Sequence, residues 1–140
     1  MKKPGVKALV VYKKKLLLIL RDDDPTIPSP NTWNLPGGGI DDQESEEEAI
    51  RRELKEEIAI IPKNITYQAK QIFTDGSEVY RYVAFLTDEE YLHIHLRDEG
   101  QRLDFFTVDE ITTLELAAYS KEFFSDYKDT IKEIVENYIL

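Results

Sequence analysis

Apolar, β-branched-rich residues dominate two runs near the start of the chain, Val6 to Tyr12 and Lys15 to Arg21, joined by a short lysine turn. Two such runs predict a β-hairpin. Residues 22–31 (DDDPTIPSPN) hold three prolines and three consecutive aspartates and predict an irregular loop. WNLPGGGI follows as a short extended segment entering three glycines. From Ser45 to Ile58 the period changes. Ile50, Leu54, Ile58 and Ile61 recur about once per helical turn, Ser45 and Glu48 have capping-box spacing, acids fill the first turn, and Pro62 supplies the stop. Ile65 to Thr74 and Ser77 to Thr87 read as a second hairpin around Asp75-Gly76. Tyr91 to Leu96 and Leu103 to Thr107 predict two further strands. Ser120 opens a last helix with Phe123, Tyr127, Ile131, Ile134 and Tyr138 on one face. With no repeat, linker or low-complexity tail, residues 1–140 read as one α/β domain, a mixed β-sheet flanked by helices.

Hydrophobic residues make up 41% of the 140, enough for a core. The absence of cysteine rules out disulfides and a zinc–thiolate site, and it suits a reducing, cytoplasmic setting. The first twenty residues are basic and then apolar, as in a signal peptide. Lys13, Lys14 and Lys15 break the apolar run, and no small-residue cleavage site follows. Leu16 to Leu20 is far short of the roughly 20 residues that span a bilayer, so neither secretion nor a membrane partner is expected. A net charge of −10 does not suit long nucleic acids, whose phosphates are bound through Lys and Arg. A small polyphosphate substrate would need a local counter-charge, which a divalent metal held by part of the acidic excess would supply. Much of that excess clusters between residues 41 and 57.

Glu53, Glu56 and Glu57 lie at i, i+3 and i+4, so their carboxylates project from one side of the predicted helix, bordering its apolar stripe. Like charges at a core edge are unfavourable unless a cation bridges them. Oxygen-only ligands select a hard ion, Mg²⁺ or alternatively Mn²⁺. An acidic helix face alone is commonly just solvated. Here, however, Gly38 is followed after five residues by Glu44 and after seven more by Arg52-Glu53-Leu54-Lys55-Glu56-Glu57, then Ile58-Ala59-Ile60. This resembles the box of the Nudix hydrolase family, G-x5-E-x7-R-E-U-x-E-E-x-G-U with U aliphatic, at every fixed position except the last glycine, here Ala59. The Trp33-to-Gly39 stretch also looks like the segment leading into that box.

The resemblance implies a Nudix α/β/α sandwich. It implies Glu53, Glu56 and Glu57 as metal ligands, with the carbonyl of Gly37 or Gly38 as a further oxygen, and Glu44 and Arg52 orienting the carboxylates. The glycines, Gly39 included, let backbone approach metal and phosphate. At the family's last glycine, Ala59 implies either left-handed strain of about 1 kcal/mol or a different helix exit. Outside the box, Glu99 ahead of Phe105-Phe106 matches the position of a further family acid that binds metal or takes a proton from water; Asp98 is its rival. Arg21 is a candidate phosphate contact. Trp33 is carried as a substrate-side residue, and Tyr119 stands where similar proteins contact a base, against a plain core role. His93 and His95, alternating on a predicted strand, lack a third ligand, and Asp22 to Asp24 lack calcium-loop spacing.

These readings together imply metal-dependent hydrolysis of a phosphoanhydride in a nucleoside diphosphate linked to a moiety X. The MutT-like branch, which converts an ordinary or oxidised nucleoside triphosphate to monophosphate and pyrophosphate, fits the small chain. Sequence markers for NADH, ADP-ribose or dinucleoside polyphosphates are not evident. The alternatives are an ADP-ribose or nucleotide-sugar diphosphatase and a non-catalytic nucleotide-binding regulator. The partner is a small nucleotide, and the chain a monomer or homodimer.

Overall fold

The computed structural model describes residues 3–137. Lys13 and Lys14 both take positive φ (47° and 64°), the conformation a two-residue turn needs to match strand twist. That turn joins β1 (Gly5–Tyr12) to β2 (Lys15–Leu20). The chain continues through β3 (Trp33–Asn34), β4 (Gly37–Gly39), α1 (Glu46–Ile58), β5 (Asn64–Ile72) and β6 (Glu78–Phe85). It ends with α2 (Asp88–His93), β7 (Arg102–Phe106), α3 (Val108–Ile111) and α4 (Ala118–Asn137).

The strands form one mixed sheet along the path β3-β2-β1-β6-β5, with β4 added to β1 and β7 to β2. Among the strand pairs of the described residues only β1 and β6 run parallel, from Gly5 opposite Val79 to Val11 opposite Phe85. Alternation along β1 and β2 decides the layers. Val6, Ala8, Val10, Leu17 and Ile19 bury one face under Ala49, Ile50, Leu54 and Ile58 of α1. Leu9, Val11, Leu16 and Leu18 bury the other under Phe123, Phe124, Ile131 and Val135 of α4. The result is the expected α/β/α sandwich. Among the described residues no helix is long and apolar enough to cross a membrane.

Several expectations are corrected. Tyr91 to Leu96 is not a strand: Thr87 and Glu90 form a capping box that starts α2. His93 therefore ends a helix turn and His95 lies beyond it, so the two share no strand face. A second unpredicted helix, α3, begins at the same signal, Thr107 with Glu110. Helix α4 starts at Ala118, ahead of Ser120, which is buried and bonds Asn34 Oδ1 at 2.6 Å. Its backbone kinks at Tyr127 (φ −127°), leaving that residue 39% exposed and not on the continuous apolar face. Ile61 lies past the end of α1 and is 40% exposed, off the helix's core face. Tyr138 falls outside the described residues.

Helix α1 is capped by Ser45 and Glu48 and ends at Ala59, not at Pro62, with φ 72°. The left-handed exit expected of a glycine is thus made by an alanine, whose Cβ is strained there. Ala59→Gly is expected to raise the melting temperature by about 3–5 °C, on the order of 1 kcal/mol, read by thermal denaturation. An unchanged or lower value would mean the strain is relieved elsewhere.

Candidate active site

Strand β1 divides one edge between two partners. Val11 and Tyr12 pair with β2, while Gly5 to Lys7 pair with β4. The fork opens a cleft of about 430 Å³ floored by Lys7, Gly37 and Gly38. Arg21, from the end of β2, and Glu99, from the loop before β7, also line it. Glu57 of α1 forms a further part of its wall.

The glycines set how closely α1 approaches. Gly37 has φ +143°, and a Cβ there would fall on the Val6 carbonyl. A Cβ on Gly38 would sit 2.6 Å from Cδ of Glu53, so the space a side chain would fill holds that carboxylate. The Gly37 N–H donates to Glu57 Oε1 at 3.1 Å. Burial pushes the Glu57 carboxyl up to about 8, although the charge of Lys7 opposes this; a hydrogen bond with Glu53 raises it further. Burial conversely lowers Lys7, with Glu57 pulling the other way. Two carboxyls this close at a core edge are the configuration a cation would relieve.

Arg52 organises the remaining acids. It donates to Glu44 through Nε at 2.7 Å and Nη2 at 2.9 Å, to the Gly39 carbonyl at 3.0 Å, to Glu53 at 3.0 Å and to Glu56 at 3.3 Å. The Arg52 hydrogen bond holds Glu44 down to about 2. Glu44 therefore contributes stability above its ordinary value near 4.5 and loses it as pH falls through about 2. Glu44→Gln is expected to flatten the pH dependence of the melting temperature between those limits; parallel wild-type and variant curves would refute the pairing.

The structure thus gathers Glu44, Arg52, Glu53, Glu56 and Glu57 along one side of α1, with Gly37 and Gly38 against it. Arg21 and Glu99 stand on the cleft wall; Asp98 is not among its lining residues. Gly39 meets Arg52 through its carbonyl. Trp33 is buried against Phe106, ring centroids 4.9 Å apart, and Tyr119 reaches Ser77 and Asp75 through its hydroxyl. Neither lines the cleft; Tyr119 lines a small adjoining recess. Lys7 was not anticipated, although the sequence carried a signal: it alternates with Leu9 and Val11, so a charge faces inward on a core strand.

Among the described residues no three acidic or imidazole side chains converge as a metal cluster. Glu56 is 58% exposed and turned to Arg52. The donor chemistry, carboxylate and peptide oxygens alone, fits a hard divalent ion, and the Glu53–Glu57 pair supplies the charge density.

A NUDIX domain model matches residues 1–127. The chain belongs to the Nudix hydrolase family. The NUDIX domain of Shewanella oneidensis NrtR, complexed with ADP ribose, superposes with a TM-score of 0.72 at 21% identity, covering 94% of this chain and 89% of that one. A MutT protein from Methanosarcina mazei Go1 gives 0.64 at 26% identity, with 93% and 97% covered. An RNA pyrophosphohydrolase of Shewanella sp. (strain ANA-3) is 50% identical over 36 residues, 26% of this chain and 21% of that protein. The matches span about a fifth to a quarter of the length of these curated relatives.

Proposed function

We propose that this chain is a divalent-metal-dependent pyrophosphohydrolase of the MutT-like kind, acting on a nucleoside triphosphate, ordinary or oxidised, to give monophosphate and pyrophosphate. Glu57, on the carboxylate edge of α1, opening on a cleft that also holds Arg21 and Glu99 carries this reading. Glu53, Glu56 and Glu57, with a peptide oxygen of Gly37 or Gly38, would hold Mg²⁺ or Mn²⁺. A metal bound there supplies charge neutralisation at the phosphates and makes a water more acidic. Arg52 orients Glu53 and Glu56, while Glu44 fixes Arg52. Arg21 provides a fixed cation for a phosphate oxygen, and a carboxylate on the cleft wall, Glu99 or one from α1, takes a proton from the attacking water. The acidic surface favours a small nucleotide over a long RNA end. The residues form one catalytic domain, and the cysteine-free chain suits the cytoplasm.

An ADP-ribose diphosphatase is the second reading, favoured by the ADP-ribose complex of the NrtR domain. Both are tested by phosphate and pyrophosphate release from ordinary and oxidised triphosphates, ADP-ribose, nucleotide sugars and dinucleoside polyphosphates, with Mg²⁺, Mn²⁺ or chelator. Pyrophosphate released from a triphosphate only with metal is the expected result. Cleavage confined to ADP-ribose replaces the substrate, and no turnover favours a nucleotide-binding regulator.

A further inference from the structure

Lys7 carries an inference about the same cleft. Its strand neighbours Val6 and Ala8 are buried beneath α1, so Lys7 points to the opposite face. There it stands between Gly37, its partner on β4, and Arg81, its partner on the parallel strand β6. The two flanks differ. Arg81 is buried and engaged, with Nε donating to Gln68 at 2.6 Å, Nη1 to Gln71 at 2.7 Å, and its Cζ 4.2 Å from the Phe123 ring centre. Gly37 has no side chain, so the Lys7 ammonium opens on the cleft. It donates to the Leu35 carbonyl at 2.9 Å. Among the described residues it makes no other hydrogen bond and no ion pair within 4 Å, leaving two of three N–H donors unused.

A half-buried ammonium with spare donors is costly unless something anionic completes it. Glu57 and Glu53 act on it through space, as does Arg21 across the cleft. The cleft thus sets Glu57 of α1 against two cations, Lys7 and Arg21, that come from the strands, with Asp22 and Glu99 also in its lining. We propose that Lys7 is a substrate-binding residue. Together with Arg21 it forms an anion site for phosphoryl oxygens turned away from the carboxylate edge, able to take a pyrophosphoryl group without metal. The assignment of the anion to the substrate rests on the hydrolase reading above.

The test is calorimetric titration of inorganic pyrophosphate into metal-free protein in chelator, for wild type, Lys7→Gln and Lys7→Arg. Binding to the wild type, weakened about tenfold or more in Lys7→Gln and within about threefold in Lys7→Arg, is expected, since a charged hydrogen bond is lost in one and kept in the other. With metal and a hydrolysed nucleotide, Lys7→Gln is expected to raise KM more than it lowers kcat. Equal binding by wild type and Lys7→Gln, or no binding by wild type, overturns the proposal. Should Lys7→Gln not fold, the ammonium resonance of Lys7 in ¹⁵N-lysine wild-type protein replaces it; pyrophosphate must shift that signal, and an unmoved signal is equally fatal. Lys7-dependent binding without turnover of any nucleotide leaves the anion site standing and removes the hydrolase. Turnover with Lys7-independent binding does the reverse.

Discussion

Glu53→Gln is expected to lower kcat by about 10³-fold while leaving the fold intact, read by pyrophosphate release beside a thermal melt. Glutamine keeps the shape, so the packing against Gly38 and the helix backbone are preserved, and only the charge is lost. Glu53 is 15% exposed and lies between Arg52, Gly38 and Glu57, the point where a cation would gain most from one more carboxylate. In chelator the same change relieves Glu57 of a neighbouring carboxylate and weakens one Arg52 contact, so the metal-free variant should melt close to wild type. Activity within about threefold of wild type would sink the assignment of the α1 edge as the metal site. A large fall in melting temperature would show instead that Glu53 is structural.

Gly37→Ala is expected to be the most destabilising single-methyl change in the site, about 4 kcal/mol, or a fall of roughly 10–15 °C in melting temperature. Two effects add. The φ of +143° belongs to glycine, and the new Cβ would overlap the Val6 carbonyl and lie 2.9 Å from Cα of Lys7. Neither obstacle can swing aside, because both are backbone of the central strand. Gly76→Ala is the control: its φ is +86°, but nothing lies within 4 Å of the added atom, so only the backbone term, about 1 kcal/mol, applies. Equal effects at the two positions would mean that β4 moves off β1 easily and that the fork does not fix the cleft.

Period and capping made much of the sandwich legible. The β1–β2 hairpin, the β5–β6 hairpin around Asp75-Gly76 and the span of α1 follow from alternation, turn chemistry and the Ser45–Glu48 box. The two unpredicted helices show where that reading stopped short. Thr87 with Glu90 and Thr107 with Glu110 have the same spacing as Ser45 with Glu48, but the runs behind them are short. The alternating Tyr91, His93 and His95 outweighed the cap. Local signals for a two-turn helix and a strand nearly balance, and packing decides. In the site, fixed spacing marked Arg52 and the three glutamates because one helix carries them, and Glu44 because it lies just ahead of that helix's cap. Lys7 and Arg21 reach the same cleft from different strands, a proximity set by register and not by spacing. The Arg52 fan, holding Glu53 and Glu56 at once, is likewise set by side-chain geometry that spacing does not specify.

The parallel pairing of β1 with β6 has a kinetic consequence. Gly5 finds Val79, and Leu16 of the next strand finds Phe106, so the central strands wait for partners far along the chain. Loop closure over such separations must precede most of the reward, which makes folding slow for the size of the molecule. A ribosome would have extruded more than half of the polypeptide before β1 could dock on β6, and Leu16 to Leu20 would stay without their β7 neighbour for longer still. During that interval the N-terminal hairpin is an unsatisfied apolar ribbon, the segment a holding chaperone would be expected to cover and the first to aggregate if synthesis stalls.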